Sequence, residues 1–253
     1  RGENNGGRVG SGSDSSTAMK KGSRPAVSGQ KEQSNLSALT GTQDQHDEAI
    51  RGGFSMSDAM KHNAKIGTMS SSVTPEDVLN SLQRGNTRFW MGNAARPEAS
   101  AFERRAMIMS QHPSVAILGC ADARVPIEII FDQGLGDIFT IRVAGNCLDT
   151  STTGSLEYAV IHLKVKCLVI MGHEGCGAIQ AARMPIGDIE KMSKDLGDLL
   201  KGLKEGLDEK RLCQVHDRRA CDREAVTTNV KFQVRNLLKN KAVKKRVASG
   251  DLI

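Results

Sequence analysis

Past residue 73 the chain alternates short, almost wholly apolar runs with stretches of helical period. The runs at residues 114–119, 137–144 and 165–172 are rich in Val, Ile and Leu and end at or beside a glycine. None alternates apolar with polar, which is the pattern of strands buried on both faces. Between them, residues 126–132 and 152–163 read as helices. Buried strands alternating with helices predict a three-layer α/β domain, a mostly parallel central sheet flanked by helices. Its first helix opens at Thr74-Pro75-Glu76-Asp77, with Thr74 as cap, proline at the first helical position and acids in the first turn. Val78, Leu79, Leu82, Phe89 and Trp90 supply its apolar side. Residues 185–224 are polar and helical. Residues 225–247 read as one helix, with Val230, Val234, Leu237 and Leu238 inward and a basic, solvated face outward.

Before residue 73 the pattern disappears. Residues 1–72 are dominated by Gly, Ser, Asn, Gln and Lys, with Phe54 as their one aromatic and no cysteine. Such a segment buries too little surface to offset its ordering entropy. It is expected to be a flexible tail ahead of a domain at 73–253. Residues 47–64 are its best helical piece if the tail docks on a protein partner.

Composition narrows the class. The 253 residues carry 35 Lys+Arg against 29 Asp+Glu, a formal charge of +6. With one Trp, one Tyr and charges of both signs interspersed, the chain has little with which to stack on or track a nucleic acid, so no nucleic-acid partner is expected. No apolar stretch reaches the 18 or so residues of a membrane span. Six cysteines in this length are too sparse for a disulfide scaffold. They point to a reducing, intracellular location (cytoplasm, or an organelle such as a chloroplast or mitochondrion), with thiols used for packing or metal.

Two strand ends carry the chemistry. Gly119-Cys120-Ala121-Asp122-Ala123-Arg124 follows the first predicted strand, and Gly172-His173-Glu174-Gly175-Cys176-Gly177 follows the third. In an open α/β sheet, ligands bind at the carboxyl ends of strands. Cys120, His173 and Cys176 together offer two thiolates and an imidazole, a donor set that suits zinc with one open position. Taken singly, each reads equally as a packed core residue. Asp122 and Arg124 are two apart and can pair, either to keep a carboxylate oriented beside a metal or as an ordinary salt bridge at a strand end. Cys213, His216 and Cys221 lie in a polar segment and read as surface thiols without a fourth ligand.

Cys-x-Asp-x-Arg followed by His-x-x-Cys resembles the β-class carbonic anhydrases. The similarity extends to Gly85-Asn86-Thr87-Arg88-Phe89, to 132–139, to Arg142-Val143-Ala144-Gly145-Asn146, to 154–160 and to Asn229, Val230 and Val234. The resemblance implies zinc on Cys120, His173 and Cys176, with Asp122 and Arg124 as a catalytic pair and Asp122 as a fourth ligand in a closed state. It implies reversible hydration of CO2 to bicarbonate and a proton, by attack of zinc-bound hydroxide. It also implies a substrate pocket formed by Gln111, Phe139 and Tyr158, partly from a neighbouring subunit, hence a homodimer or higher homo-oligomer. Ile117 stands where members with a non-catalytic bicarbonate pocket carry Trp, which disfavours that form of inhibition. Family members continue past the point matched by Gly250-Asp251-Leu252-Ile253 into another strand, so the resemblance implies a sheet edge cut short here. Two rival readings keep the same site: a hydrolase of CS2 or COS, and a non-catalytic assembly subunit.

Overall fold

In a computed structural model of the protein, which describes residues 55–95 and 97–253, the three apolar runs form one parallel sheet. Its strands are β1 (Val115–Cys120), β2 (Ile138–Val143) and β3 (Cys167–Met171), in the order β2-β1-β3. Three helices precede the sheet: α1 (Met56–Ser72), α2 (Pro75–Trp90) and α3 (Ala101–Ala106). The short α4 (Ile127–Ile130) joins β1 to β2, and α5 (Thr150–Tyr158), running into a π-helical turn (Ala159–Leu163), joins β2 to β3. After β3 come α6 (Gly177–Ala182), α7 (Ile186–Ile189), α8 (Lys194–Lys204), α9 (Glu209–Leu212), α10 (Arg218–Leu237) and α11 (Lys241–Ala248).

Every residue of β1 is buried, because the strand is central and both its faces are covered. Ala116 and Leu118 pack with Phe139, Ile141 and Ile170 against Leu156, Val160, Leu237 and Val243. Val115 and Ile117 face the other way, onto Val78, Leu82 and Ile127. This is the predicted three-layer arrangement. The pairing Cys120↔Val143 and Gly119↔Met171 brings the carboxyl ends of the strands level, so the loops after β1 and β3 emerge side by side. Backbone bonds from Ile253 N–H to Lys166 O (3.1 Å) and from Leu168 N–H to Ile253 O (2.8 Å) extend the pattern beside β3.

Helix α2 starts as expected, with a reciprocal capping box between Thr74 and Asp77. Its buried face is Val78, Leu82 and Gly85, however, and Leu79, Phe89 and Trp90 are exposed. The reason is a close crossing. A Cβ on Gly85 would lie 1.8 Å from the carbonyl oxygen of Phe131, so only glycine lets α2 touch the turn after α4. Arg88 then reaches the same turn, its Nε donating to Asp132 Oδ2 at 2.5 Å, and the Ala95 N–H donates to that oxygen at 3.0 Å.

Part of the segment expected as tail is helical. Residues 56–72 form a capped helix, α1, with Ala59 and Asn63 buried; Asn63 Nδ2 donates to the Ala106 and Ser110 carbonyls. The remainder of the expected tail, 1–54, including 47–54 of the segment expected to be helical, lies outside the described residues. The single helix expected over 225–247 is two, because Asn240 caps a fresh start: its Oδ1 accepts from the Ala242 and Val243 N–H groups while its Nδ2 donates to Glu157. The inward face of α10 also differs from the expected one. It is Cys221, Ala225, Asn229, Gln233 and Leu237, a strict four-residue stripe containing two amides, and Val234 and Leu238 are exposed. Cys221 is therefore not a surface thiol; its Sγ accepts from Arg183 Nη2 at 3.0 Å, while Cys213 and His216 stay exposed.

The Asp132 carboxylate is almost wholly buried, and Arg88 is paired with it. Arg88→Ala should therefore cost about 3 kcal/mol of unfolding free energy, as for a buried charge that loses a partner. Urea denaturation measures it; a loss below about 1 kcal/mol would class the pair with exposed ion pairs.

Candidate metal centre

The loops after β1 and β3 bring together the three ligand-type side chains. Cys120 Sγ, Cys176 Sγ and a ring nitrogen of His173 lie within 4.8 Å of one another, with the two sulfurs 3.8 Å apart. Both thiols are buried, at the edge of an apolar cluster with Ile179, Leu200 and Leu203. Each has a local reason for its place. Cys120 is the last residue of β1, and its backbone is held by Arg142, whose Nε donates to Cys120 O at 2.9 Å and whose Nη2 donates to Asp122 O at 2.6 Å. Cys176 is the residue from which α6 starts. Burial pushes its thiol pKa up, against the N–H groups of Ile179 and Ala178, which favour the thiolate.

His173 Nδ1 lies 3.0 Å from the Glu174 carbonyl oxygen. Since a carbonyl only accepts, the neutral ring carries its proton on Nδ1 and leaves the lone pair on Nε2. That Nε2 is buried and has no hydrogen-bond partner. Two buried sulfurs and one unpartnered imidazole nitrogen, converging on one point, fit a divalent metal of zinc type better than they fit a packed core.

Asp122 stands beside this point. Arg124 binds it through Nε to Oδ1 (2.9 Å), Nη2 to Oδ2 (2.7 Å) and its own backbone N–H to Oδ1 (2.9 Å). These bonds hold the carboxyl far below the usual carboxylate range. Arg124 Nη2 also donates to Gly175 O at 3.0 Å, tying the two loops together, and Asp122 Oδ2 lies 3.8 Å from His173 Nε2. On the outer side, Arg219 and Arg223 of α10 pair with Glu174. An open cleft of about 510 Å³ lies there, lined by Glu174, Gly175 and α10 residues including Arg219, but by none of the three ligand-type residues.

The expected pocket residues are elsewhere. Gln111 is exposed ahead of β1, and Phe139 pairs with Ala116, four residues before Cys120. At about 3.3 Å per residue that is roughly 13 Å of strand away from the sulfurs. Phe139 and Tyr158 are neighbours, with ring centroids 6.1 Å apart, and Tyr158 is half exposed. Within one chain these three side chains do not line the metal-type cluster. Arg142 and Gly145 do touch Cys120, and the buried Asn229 of α10 bonds to Gly145; sequence reasoning gave none of them a role. Arg142 left a signal as a charged residue near the end of an otherwise apolar run, and Gly145 and Asn229 only as part of the resemblance. The other cysteines differ in kind: burial raises Cys147 and Cys167 to about 11, so they stay protonated and serve packing.

The family model described as carbonic anhydrase matches residues 115–253, more than half of the chain. The chain belongs to the carbonic anhydrase family. Carbonic anhydrase 2 of Mycobacterium tuberculosis is 45% identical over 116 residues, 46% of this chain and 56% of that protein. The carbonic anhydrase of Mycolicibacterium smegmatis is 39% identical over 127 residues, 50% of this chain and 62% of that one. The chain thus spans a little over half the length of these curated relatives. Among solved structures it resembles one of the tetrameric β-carbonic anhydrases of Sordaria macrospora, with a TM-score of 0.54 and 27% identity over 64% of this chain and 82% of that chain. The family match taken with the likeness to solved β-carbonic anhydrases assigns it to the β class. No helix among the described residues is long and apolar enough to cross a membrane.

If Arg124 is what depresses Asp122, then Arg124→Ala should raise the carboxyl pKa of Asp122 towards the ordinary aspartate value. The sign follows from losing a partner of the charged form. Carbon-13 carboxyl titration of the metal-free protein reads it; an unmoved pKa would assign the depression to other groups.

Proposed function

We propose that this domain is a zinc-dependent carbonic anhydrase that interconverts CO2 with bicarbonate and a proton. The observation carrying the reading is the convergence of Cys120, His173 and Cys176, two buried sulfurs and an unpartnered Nε2, beside a carboxylate that Arg124 keeps ionised. A zinc ion on these three residues supplies a Lewis acid with one open position, able to activate water near neutral pH. The protein's own groups do the rest. Arg124 engages both oxygens of Asp122, so the carboxylate is held back from the ligand cluster. It remains a fixed hydrogen-bond acceptor beside it, and both loops are kept in register by the Arg124–Gly175 bond. Arg142 fixes the turn that carries Cys120 and Asp122.

The separation of Gln111, Phe139 and Tyr158 from the ligands within one chain supports a homo-oligomer in which a second copy supplies pocket walls. The tetrameric Sordaria relative is in keeping with this. Substrate specificity for a small linear molecule then resides in the subunit contact.

Three measurements test the proposal. The purified protein should contain one zinc per chain, and Cys176→Ala should contain roughly none after dialysis, since two ligands rarely retain the metal. Stopped-flow assay should show CO2 hydration. Arg124→Ala should keep its zinc and lose at least about 100-fold in turnover, about 2.7 kcal/mol of barrier. Full zinc in Cys176→Ala would overturn the ligand assignment, and near-normal turnover in Arg124→Ala would leave the Asp122 pair purely structural.

A further inference from the structure

The two amides in the buried stripe of α10 are a problem for a helix that faces a hydrophobic core. Asn229 is fully buried and Gln233 nearly so. A valine or leucine at either place would fill similar space without the cost of desolvating an amide. Their bonds show where they lead. The Gln233 side chain is anchored by Leu148, whose N–H donates to Oε1 at 3.2 Å, and its Nε2 donates to Asn229 Oδ1 at 3.0 Å. With Oδ1 so engaged, the amide of Asn229 is oriented, and its Nδ2 donates to the carbonyl oxygen of Gly145 at 3.1 Å. Gly145 in turn donates its N–H to Cys120 Sγ at 3.3 Å. The series runs from α10 to a metal-type sulfur through the two peptides on either side of the Gly145 Cα.

Gly145 is the link that needs holding. It sits in the 3-10 turn after β2 with a φ of 67°, and a Cβ there would lie 2.6 Å from Leu203 Cδ1. Position and conformation therefore both require glycine, the residue least able to fix its own backbone. Its N–H belongs to the 144–145 peptide and the carbonyl gripped by Asn229 to the 145–146 peptide, so the grip acts through the φ and ψ of Gly145. With the following peptide pinned, the glycine keeps the conformation that points its N–H at Cys120.

We propose that Asn229, oriented by Gln233, is a positioning residue that aims the Gly145 N–H at Cys120 and so tunes the sulfur as a metal ligand. The inference rests on the proposed metal site. An N–H directed at the sulfur withdraws electron density from it and fixes the direction in which it faces the other two ligand-type groups, so losing that N–H both shifts the sulfur's electronic levels and loosens the preorganised ligand set. Outer partners of ligands typically change metal affinity by about 10–100-fold when removed. The second donor to Cys120, the Asp122 N–H at 3.4 Å, is local to its own loop and remains when Asn229 is changed. The effect is therefore a partial loss.

The test uses cobalt(II) as the probe, in the full chain, because sulfur-to-cobalt charge transfer reports directly on the sulfur. The protein is titrated with cobalt against a competing chelator, and the near-ultraviolet band and the melting temperature are recorded. In Asn229→Leu the band should move to longer wavelength, and the cobalt dissociation constant should rise by about 10–100-fold. Gln233→Leu, one bond further away, should move both quantities in the same direction by less, and it carries the test if Asn229→Leu does not fold. An unchanged band in the folded variants, whatever their melting temperatures, makes the amides structural only and overturns the inference. A wild-type protein with no sulfur-to-cobalt band overturns the metal-site reading itself, and the two failures are thereby distinguished.

Discussion

The parallel pairing of β1 with β3 is the constraint on which the site depends. Cys120 and the His173–Cys176 loop are more than fifty residues apart, and neither loop can build a metal site alone. Register puts Gly119 opposite Met171, so both chains leave the sheet at the same height and on adjacent strands. That register brings together two buried thiols and one buried imidazole nitrogen without a hydrogen-bond partner, beside a carboxylate that Arg124 pairs. Of these groups the Nε2 of His173 is the one left without a hydrogen-bond partner, which is where a ligand would offset the cost of its burial.

The surrounding structure divides the labour of holding this point still. Arg124 bridges the two loops through Asp122 and Gly175, Arg142 fixes the turn after β1, and α10 reaches over from behind. Helix α10 meets the site on two sides, through Glu174 on the outer surface and through Gly145 within. The outer contacts are exposed ion pairs and worth little each, whereas the inner ones are fully desolvated hydrogen bonds, which cost far more to break. The rigid side of the site is thus the β2 side, and the exposed side is the one that faces the 510 Å³ cleft.

Much of this is legible in the sequence where a residue's type alone settles its role. Buried parallel strands have to be continuously apolar, so the apolar runs mark β1, β2 and β3 to within one or two residues at each end. The ligand candidates stand out because Cys and His at strand ends are chemically unusual. Faces of helices are harder. Phe89 and Trp90 look inward by hydrophobicity, but the crossing at Gly85 rotates α2 so that they are exposed. On α10 the valines look inward, yet the buried stripe includes Asn229 and Gln233, since their bonds to Gly145 and Leu148 offset burial. Those bonds are tertiary and leave no periodic trace. Helix α1 is legible only in part, through the helical piece expected at 47–64: Met56–Ser72 has a weakly apolar face, and Asn63 bonds across to the region around α3. Gln111, Phe139 and Tyr158 lie away from the metal-type cluster within one chain, a separation that no sequence pattern signals.

The central claim is that the sulfurs of Cys120 and Cys176 and the Nε2 of His173 hold zinc. X-ray absorption at the zinc edge of the purified protein tests it most directly. The account predicts two sulfur scatterers at about 2.3 Å with nitrogen or oxygen at about 2.0–2.1 Å completing four-coordination. A shell of oxygen and nitrogen alone, or one of four sulfurs, would contradict it.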